Sequence, residues 1–462
     1  MKPIRSAGKR GSILLVQPGE RGGQDLFGRL WQPLDLANSA ARLEHEGFHV
    51  RIIDNRVENI RPSQIARIGN GFDKIFVTSA AFDRWQCPPV AIPDFFRITD
   101  PLEKNKLYIM GPHVTERPET FLKKTRARAA ILGEPENSLV SLSLNDQGGE
   151  MHRDLCNIAY LDNDGMVQIS KQGPGPSHHR TWPRPAFHLL DMKRYHYPLM
   201  KRPFTILEGS RGCPFQCRFC YKGMHPSVFV QKNPMDLVDE VLGVRDRSGI
   251  SNIYFMDLEF GVNTDFLREF CMGMIRQNTG INWCCQMRVT DADDELLQLM
   301  HTAGCSLIHF GAETATQRLL DWSGKNIRLC DCEKAVMGAK RANIRTALFF
   351  SLGFPNESPK EMDDTVNWAV GLNPTYASFH MLMPVPGTHL QRSMVFNPES
   401  LPHDRYPTSC AEGHDELFLR KKVRHAYVRF YSRPRYLLGA LRDQGILKRR
   451  AFEFFLRGIG CR

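Results

Sequence analysis

The chain has 462 residues, 42% of them hydrophobic and 24% charged, with a formal charge of +11. That length exceeds one ordinary hydrophobic core and predicts more than one domain. No run of about eighteen apolar residues occurs, which excludes a bilayer-crossing helix read from hydropathy.

The basic start, Met1 to Lys9, leads into Ser12-Ile13-Leu14-Leu15-Val16. That run is too short for a signal-peptide core and no small-residue cleavage site follows it, so a cytoplasmic location is expected. The 13 cysteines then read as reduced thiols, some of them metal ligands, and oxygen sensitivity follows.

Apolar runs then alternate with helical patterns. Ile13–Val16, Val50–Ile53, Lys74–Val77, Leu107–Met110 and Ala129–Leu132 read as strands, with helices around Leu34–Glu46 and Pro62–Ile68. The alternation predicts an α/β, doubly wound, Rossmann-like parallel sheet over residues 1–150, whose ligands lie beyond the carboxyl ends of the strands. Four loops should gather on that rim: Gln17-Pro18-Gly19, Thr78-Ser79-Ala80, Gly111-Pro112-His113 and Gly133-Glu134-Pro135-Glu136. Glycine lets backbone approach a ligand closely, although Gly and Pro are also ordinary turn punctuation.

Residues 151–198 read as a linker, with Gly173-Pro174-Gly175-Pro176 and Trp182-Pro183-Arg184-Pro185. Alternation resumes over 199–395. Strands are expected at Phe204–Gly209, Asn252–Met256, Ile281–Met287, Leu307–Gly311, Ala347–Leu352 and Tyr376–Met381. Helices are expected near Met235–Val244, Thr264–Arg276, Asp294–Thr302, Asp331–Ala342 and Pro359–Val370. About six such units fall short of a full eightfold barrel and predict a partial (βα)6 TIM-type barrel. Residues 396–462 form a basic helical extension, and the positive excess concentrates in Arg420 to Arg462, a local feature that gives no reason to expect nucleic acid. With Phe430, Tyr431, Tyr436, Phe452, Phe454 and Phe455, that segment reads either as a solvated helical face or as an amphipathic surface for a partner or a peripheral membrane contact.

The densest chemical signal is Cys213-Pro-Phe-Gln-Cys217-Arg-Phe-Cys220, in the loop after the first barrel strand. Iron–sulfur cubanes take Cys thiolates, normally four, so three from one loop leave one iron open to a small ligand. Zinc, with His225 as a fourth ligand, is the alternative, but closed zinc sites pair Cys-x2-Cys with a distant second pair. Cys284, Cys285, Cys330 and Cys332 raise a second cluster, against the reading of buried cysteine as a small hydrophobe.

Ser210-Arg211-Gly212-Cys213 through Cys220-Tyr221 resembles the signature of the radical S-adenosylmethionine (SAM) superfamily. The resemblance implies a [4Fe-4S] cluster on Cys213, Cys217 and Cys220 whose open iron chelates SAM. It also implies reductive cleavage to a 5'-deoxyadenosyl radical, with an electron donor such as flavodoxin or ferredoxin. Phe219 matches a position against the adenine, Asp257 and Glu259 positions near the SAM amine, and Gly311 and Glu313 the segment near the ribose. Gln286 and Arg288 end the third strand, where Arg288 could clasp a carboxylate. Gly353-Phe354-Pro355 resembles the fifth-strand turn. A surface salt bridge is the bland account of each charge taken singly.

A doubly wound domain ahead of such a barrel is similar to the cobalamin-binding branch, and the similarity covers most of the chain. It implies cobalamin on the first domain's rim, near Ser79, Gly111, Pro112, His113, Gly133, Glu134 and Glu136. Phe430-Tyr431-Ser432-Arg433-Pro434 resembles a segment common after that branch's barrel. No Asp-x-His-x-x-Gly occurs, so cobalt would have no lower imidazole from that motif. The methylthiotransferase branch needs three further cysteines in the first domain, which offers Cys87, with Cys156 in the linker. The implied activity is a methyltransferase acting on an unactivated carbon of a small-molecule or natural-product substrate. A cyclase, rearrangement or oxidation with the same cofactors is the second reading, and a basic metal-stabilised binding protein the third.

Overall fold

The computed structural model describes residues 10–19, 29–89, 91–145, 155–173, 184–225, 229–393, 415–434 and 436. Its first sheet has seven strands: β1 (Ser12–Gln17), β2 (His49–Asp54), β3 (Lys74–Thr78), β4 (Leu107–Met110), β5 (Ala129–Ile131), β6 (Ile158–Leu161) and β7 (Val167–Ile169). The order is β2-β1-β3-β4-β5-β6-β7, parallel through β5 and antiparallel beyond it. Alternate residues of β1 feed two cores: Ile13 and Leu15 one, Leu14 and Val16 the other. Burial on both faces is why the strand reads as an unbroken apolar run. The order reverses direction at β1 and β3, which opens a crevice at their carboxyl ends.

The structure corrects the linker. Its early part supplies β6 and β7, so the first sheet extends to Ile169. Both strands are short and β7 is largely solvated, which leaves little periodic apolar signal. Its later part is no free tether either: Phe187, Tyr197, Leu199 and Met200 are buried in the barrel's core. The Gly173–Pro176 and Trp182–Pro185 runs fall mostly outside the described residues.

A short antiparallel pair, β9 (Ser210–Arg211) and β10 (Val230–Gln231), brackets the cysteine loop, directly after β8 (Phe204–Leu207). Then come β11 (Asn252–Phe255), β12 (Asn282–Gln286), β13 (Cys305–Glu313), β14 (Arg345–Leu352) and β15 (Tyr376–Met381). These join β8 in one parallel six-stranded sheet in chain order, an open partial barrel walled by the intervening helices. Among the described residues no helix is long and apolar enough to cross a membrane.

An open barrel leaves two strand edges that invite unwanted pairing. At β8, Gln32 of the first domain donates to the Phe204 carbonyl at 2.9 Å. At β15, the helix Glu416–Tyr431 lies along the edge: Tyr427 accepts from the Phe379 amide at 3.1 Å, and Tyr431 accepts from the Ala377 amide at 3.1 Å while donating to its carbonyl at 2.8 Å. This corrects the amphipathic-surface reading for the described part of the tail. Phe430 and Tyr431 are buried in the barrel core and Tyr436 packs on it, because the apolar stripe of this helix finds the barrel. Phe452, Phe454 and Phe455 lie outside the described residues.

Tyr427→Phe and Tyr431→Phe should each lower unfolding stability by about 1 kcal/mol, the net worth of a buried hydrogen bond. Hydrogen exchange should accelerate at the Phe379 amide in the first variant and the Ala377 amide in the second. Unchanged exchange at both would show that the hydroxyls do not secure the edge.

Candidate functional site

The cysteine loop lies at the carboxyl-terminal mouth of the barrel. Cys213, Cys217 and Cys220 are all partly accessible. Burial first, then Cys217 and Cys213, push the Cys220 thiol up to about 12, so the three sulfurs feel one another. Burial also raises Cys213. Phe219 turns away from the loop into a small cluster with Leu319, Phe354, Leu382 and Leu390, which pins the loop to the strand ends after β14 and β15.

Of the polar groups predicted at the strand ends, Asp257, Glu259, Arg288 and Glu313 are buried. Asp257 follows β11 and accepts from the Gly209 amide at 2.9 Å and from Ser210 Oγ. Glu259 accepts from the amides of Arg288 at 2.7 Å and Gly261 at 3.3 Å. Burial pushes Asp257 up to about 7, and burial with the nearby Asp291 pushes Glu259 up to about 8. Two carboxyl groups with pKa values this high are poised to exchange protons near neutrality. Gln286 donates to the Asp257 carbonyl at 3.4 Å.

Arg288 stacks over the ring of Phe215, inside the cysteine loop, at 3.9 Å, and donates to the Lys325 carbonyl. Its Nε is buried without a partner. Lys325, which sequence reasoning missed, donates to Glu313 Oε1 at 2.6 Å and to the Gly311 carbonyl at 2.7 Å. A Cβ at Gly311 would lie 2.1 Å from that ammonium, so the glycine makes room for the pair. Glu313 itself sits in the left-handed region with φ +65°, a strained backbone fixed by the surrounding contacts.

On the first sheet's rim the predicted loops face this mouth. Gly111 has φ +103°, and a Cβ there would meet Ser79 Oγ at 2.6 Å, so the loop after β4 can close on the loop after β3 only with glycine. His113 is buried with both ring nitrogens engaged, Nε2 on the Pro89 carbonyl at 2.9 Å and Nδ1 on Ser79 Oγ at 3.2 Å. Burial lowers its pKa to about 4, leaving a neutral ring that holds two loops together rather than presenting a nitrogen to a metal. The Pro112 carbonyl accepts from Tyr221, the residue after Cys220, at 3.4 Å. Gly133 adjoins the Met224 and Gly223 carbonyls.

The structure redirects Glu134 and Glu136. Their carboxylates turn into the domain contact instead of standing free on the rim, because a buried guanidinium draws them. Arg211, two residues before Cys213, donates to Glu136 at 2.7 Å and to both oxygens of Glu208 at 2.9 Å, and lies 3.9 Å from Glu134. Glu134 also meets His225 Nδ1 at 3.0 Å. Burial alone would lower Arg211, but Glu136, Glu208 and Glu134 outweigh it and hold it charged. Asn38 of the first domain completes the set on Glu208 at 3.0 Å.

His225, the candidate fourth zinc ligand, pairs with Glu134 through Nδ1, and among the described residues no three His, Cys, Asp or Glu side chains gather round a single-ion site. Three partly accessible cysteines on one loop are the kind of donor set an iron–sulfur cluster takes. Cys284, Cys285 and Cys332 are fully buried among core hydrophobes and Cys330 is exposed.

At the contact between the domains Trp31 Nε1, Asp35, Ser39 Oγ, Trp85 Nε1 and Gln86 Nε2 are buried without partners, which buried polar atoms rarely are. Cys87, in the loop after β3, is open to solvent and close enough to Cys220 to raise its pKa. Asp35 starts the helix Leu34–His45, where the helix dipole favours a charge. Burial and Glu136 overrule that and push it up to about 8.

Residues 207–369 match the family described as Radical SAM superfamily. The chain is 28% identical over 460 residues to an uncharacterized methyltransferase, PH0819, of Pyrococcus horikoshii, covering 96% of this chain and 98% of that one. It is 26% identical to the anaerobic magnesium-protoporphyrin IX monomethyl ester cyclase of Rubrivivax gelatinosus, covering 92% and 78%. In fold it is similar to the radical SAM methyltransferase TsrM of Kitasatospora setae, solved with cobalamin and a [4Fe-4S] cluster (TM-score 0.71, 14% identity, 98% and 99% covered). The cobalamin-dependent SAM radical enzyme OxsB, solved with aqua-cobalamin and SAM, is also similar (TM-score 0.73, 14% identity, 96% and 70% covered).

Two substitutions test the domain contact. Arg211→Met strands three buried carboxylates and should cost about 3–5 kcal/mol in urea unfolding, the scale for breaking a buried pair; a loss below about 1 kcal/mol would show that the contact is not structural. Asp35, raised from 3.8 to about 8, keeps its proton in the folded chain while the unfolded chain releases it. Stability should therefore fall as pH rises between those values and then level off. Asp35→Asn should flatten that slope, with its stability gain over the parent growing from pH 4 to pH 8; parallel curves would place the carboxyl's titration elsewhere.

Proposed function

We propose that this chain, whose barrel is a radical SAM domain, is a cobalamin-dependent methyltransferase acting on an unactivated carbon of a small molecule. The observation that carries the reading is the juxtaposition of the Cys213–Cys220 loop, at the mouth of the barrel, with the ligand rim of the doubly wound domain. Tyr221 and His225 reach that rim directly.

Cys213, Cys217 and Cys220 hold the [4Fe-4S] cluster, and the rim loops with the unpartnered groups between the domains hold cobalamin. When bound, the cluster and SAM supply a 5'-deoxyadenosyl radical and the cobalamin supplies a methyl group. The chain's own part is positioning. Arg288 orients the SAM carboxylate, with Phe215 fixing its guanidinium plane. Asp257 and Glu259 meet the SAM amine, and their raised pKa values let them hold a proton at neutral pH. Lys325 holds Glu313 in place beside Gly311, where the ribose hydroxyls would lie. Phe219, turned into its own cluster, anchors the loop beside the adenine. The reduced thiols suit a cytoplasmic setting, and flavodoxin or ferredoxin is the class of donor for the single electron.

The likeness to a cyclase over nearly the whole chain favours one competing outcome, ring closure without methyl transfer. Anaerobically purified protein should be brown and contain iron and cobalt. With substrate it should release both 5'-deoxyadenosine and S-adenosylhomocysteine. Cys213→Ala, Cys217→Ala and Cys220→Ala should each abolish the colour and the 5'-deoxyadenosine. Turnover by cobalamin-free protein would overturn the methyltransferase reading, and 5'-deoxyadenosine without S-adenosylhomocysteine would favour ring closure.

A further inference from the structure

The cysteine loop is pinned to the barrel mouth at several points. The Arg218 amide donates to the Ser323 carbonyl at 2.8 Å, the Arg218 carbonyl accepts from the Leu390 amide at 2.9 Å, and Phe219 packs into its own apolar cluster. One further tie runs within the loop itself. Lys222, two residues after Cys220, reaches back across the loop and donates to the carbonyls of Cys213 and Phe215, the first at 3.3 Å. Its ammonium therefore joins the two ends of the segment that carries all three cysteines.

Two carbonyls could be served equally well by neutral N–H groups, so the charge is the feature that calls for a cause. Three other cations of the barrel domain each meet a carboxylate: Lys325 meets Glu313 at 2.6 Å, Lys232 meets Glu240 at 2.6 Å, and Arg211 meets Glu136 at 2.7 Å. Lys222 differs. It is half-buried, and among the described residues its ammonium meets carbonyls and no carboxylate. A cation drawn partly out of water without a counter-ion is costly. The anions in position to match it are the thiolates of the triad: burial opposes ionisation of Cys213 and Cys220, and the charge of Lys222 favours it at both.

We propose that Lys222 is a positioning residue that serves as the fixed counter-charge of the three thiolates and raises the reduction potential of the cluster they hold. The proposal rests on the reading of the triad as an iron–sulfur site. Reduction moves one electron from the donor, which is oxidised, to the cluster, which gains one negative charge; Lys222 exchanges neither electron nor proton. A cation held beside that added charge stabilises the reduced state more than the oxidised one, and does so most where little water screens it. The two carbonyls supply the holding. They tether the end of a flexible side chain and keep its charge against the loop instead of out in solvent.

The test is a redox titration of anaerobic, iron-loaded holoenzyme without substrate, with dithionite as reductant and the reduced cluster followed by electron paramagnetic resonance. Lys222→Met keeps the length of the side chain and removes its charge. Lys222→Gln also removes the charge but keeps N–H donors for the carbonyls. At a given applied potential each should lower the ratio of reduced to oxidised cluster about tenfold, a midpoint more negative by about 59 mV for one electron. Lys222→Arg restores the charge and should recover most of that shift. A strap with a purely structural role would change iron content while leaving the midpoint of the loaded fraction where it is.

A midpoint in loaded Lys222→Met and Lys222→Gln equal to that of the parent would overturn the proposal. So would a midpoint in Lys222→Arg no closer to the parent than theirs. Where neither neutral variant takes up iron, Lys222→Arg decides: iron uptake by it alone supports the counter-charge, and failure of all three overturns it. Iron in the parent is measured first. A parent that binds none sinks the cluster reading, whereas a loaded parent indifferent to the charge at position 222 sinks this inference alone.

Discussion

Arg211 is the point on which the arrangement turns. It sits on β9 two residues before Cys213, is buried, and draws Glu208 of the barrel together with Glu134 and Glu136 of the first domain. Burying a guanidinium is costly unless its fork is filled with well-placed acceptors. Here the acceptors come from both domains, so the charge is compensated only when the cysteine loop and the first domain's rim are in register. Replacement by an apolar residue of similar volume, with matching changes in the glutamates, would keep the packing but lose that register. Tyr221, on the far side of the same loop, adds a second tie to the rim through Pro112. The cysteine loop and the rim of the first domain are thus referred to one buried contact.

The parallel strands were legible because most are buried on both sides and leave an apolar run followed by turn residues. β1 and β4 show this plainly, with burial almost unbroken along their length. β6 and β7 were not legible, since short antiparallel strands at a sheet edge carry mixed polarity and follow a loop rich in glycine. Phe187, Tyr197 and Leu199 show a second limit: apolar residues in an irregular segment have no period, so nothing in the sequence says which core receives them.

At the site, spacing singled out the cysteines, and strand ends together with the family resemblance singled out Asp257, Glu259, Arg288 and Glu313. The partners of those groups stayed hidden. Lys325 pairs with Glu313 from a loop twelve residues on, and Arg211 meets Glu136 across 75 residues, separations at which no local pattern survives. Glu134 and Glu136 illustrate the cost: their loop was recognisable, but the direction of their side chains depended on an arginine that nothing local linked to them. His113 was legible as a loop histidine, and both its ring nitrogens have partners.

The tyrosines of the last described helix bear on how the chain is made. The helix Glu416–Tyr431 emerges from the ribosome well after β15, and until it does the barrel presents a bare strand edge. Strand edges template pairing with whatever extended chain is near, including another nascent copy. Synthesis therefore passes through an interval in which six strands are ready and their outer border is unguarded. Tyr427 and Tyr431 end that interval, which makes the tail a closing act of assembly as well as a wall of the finished barrel.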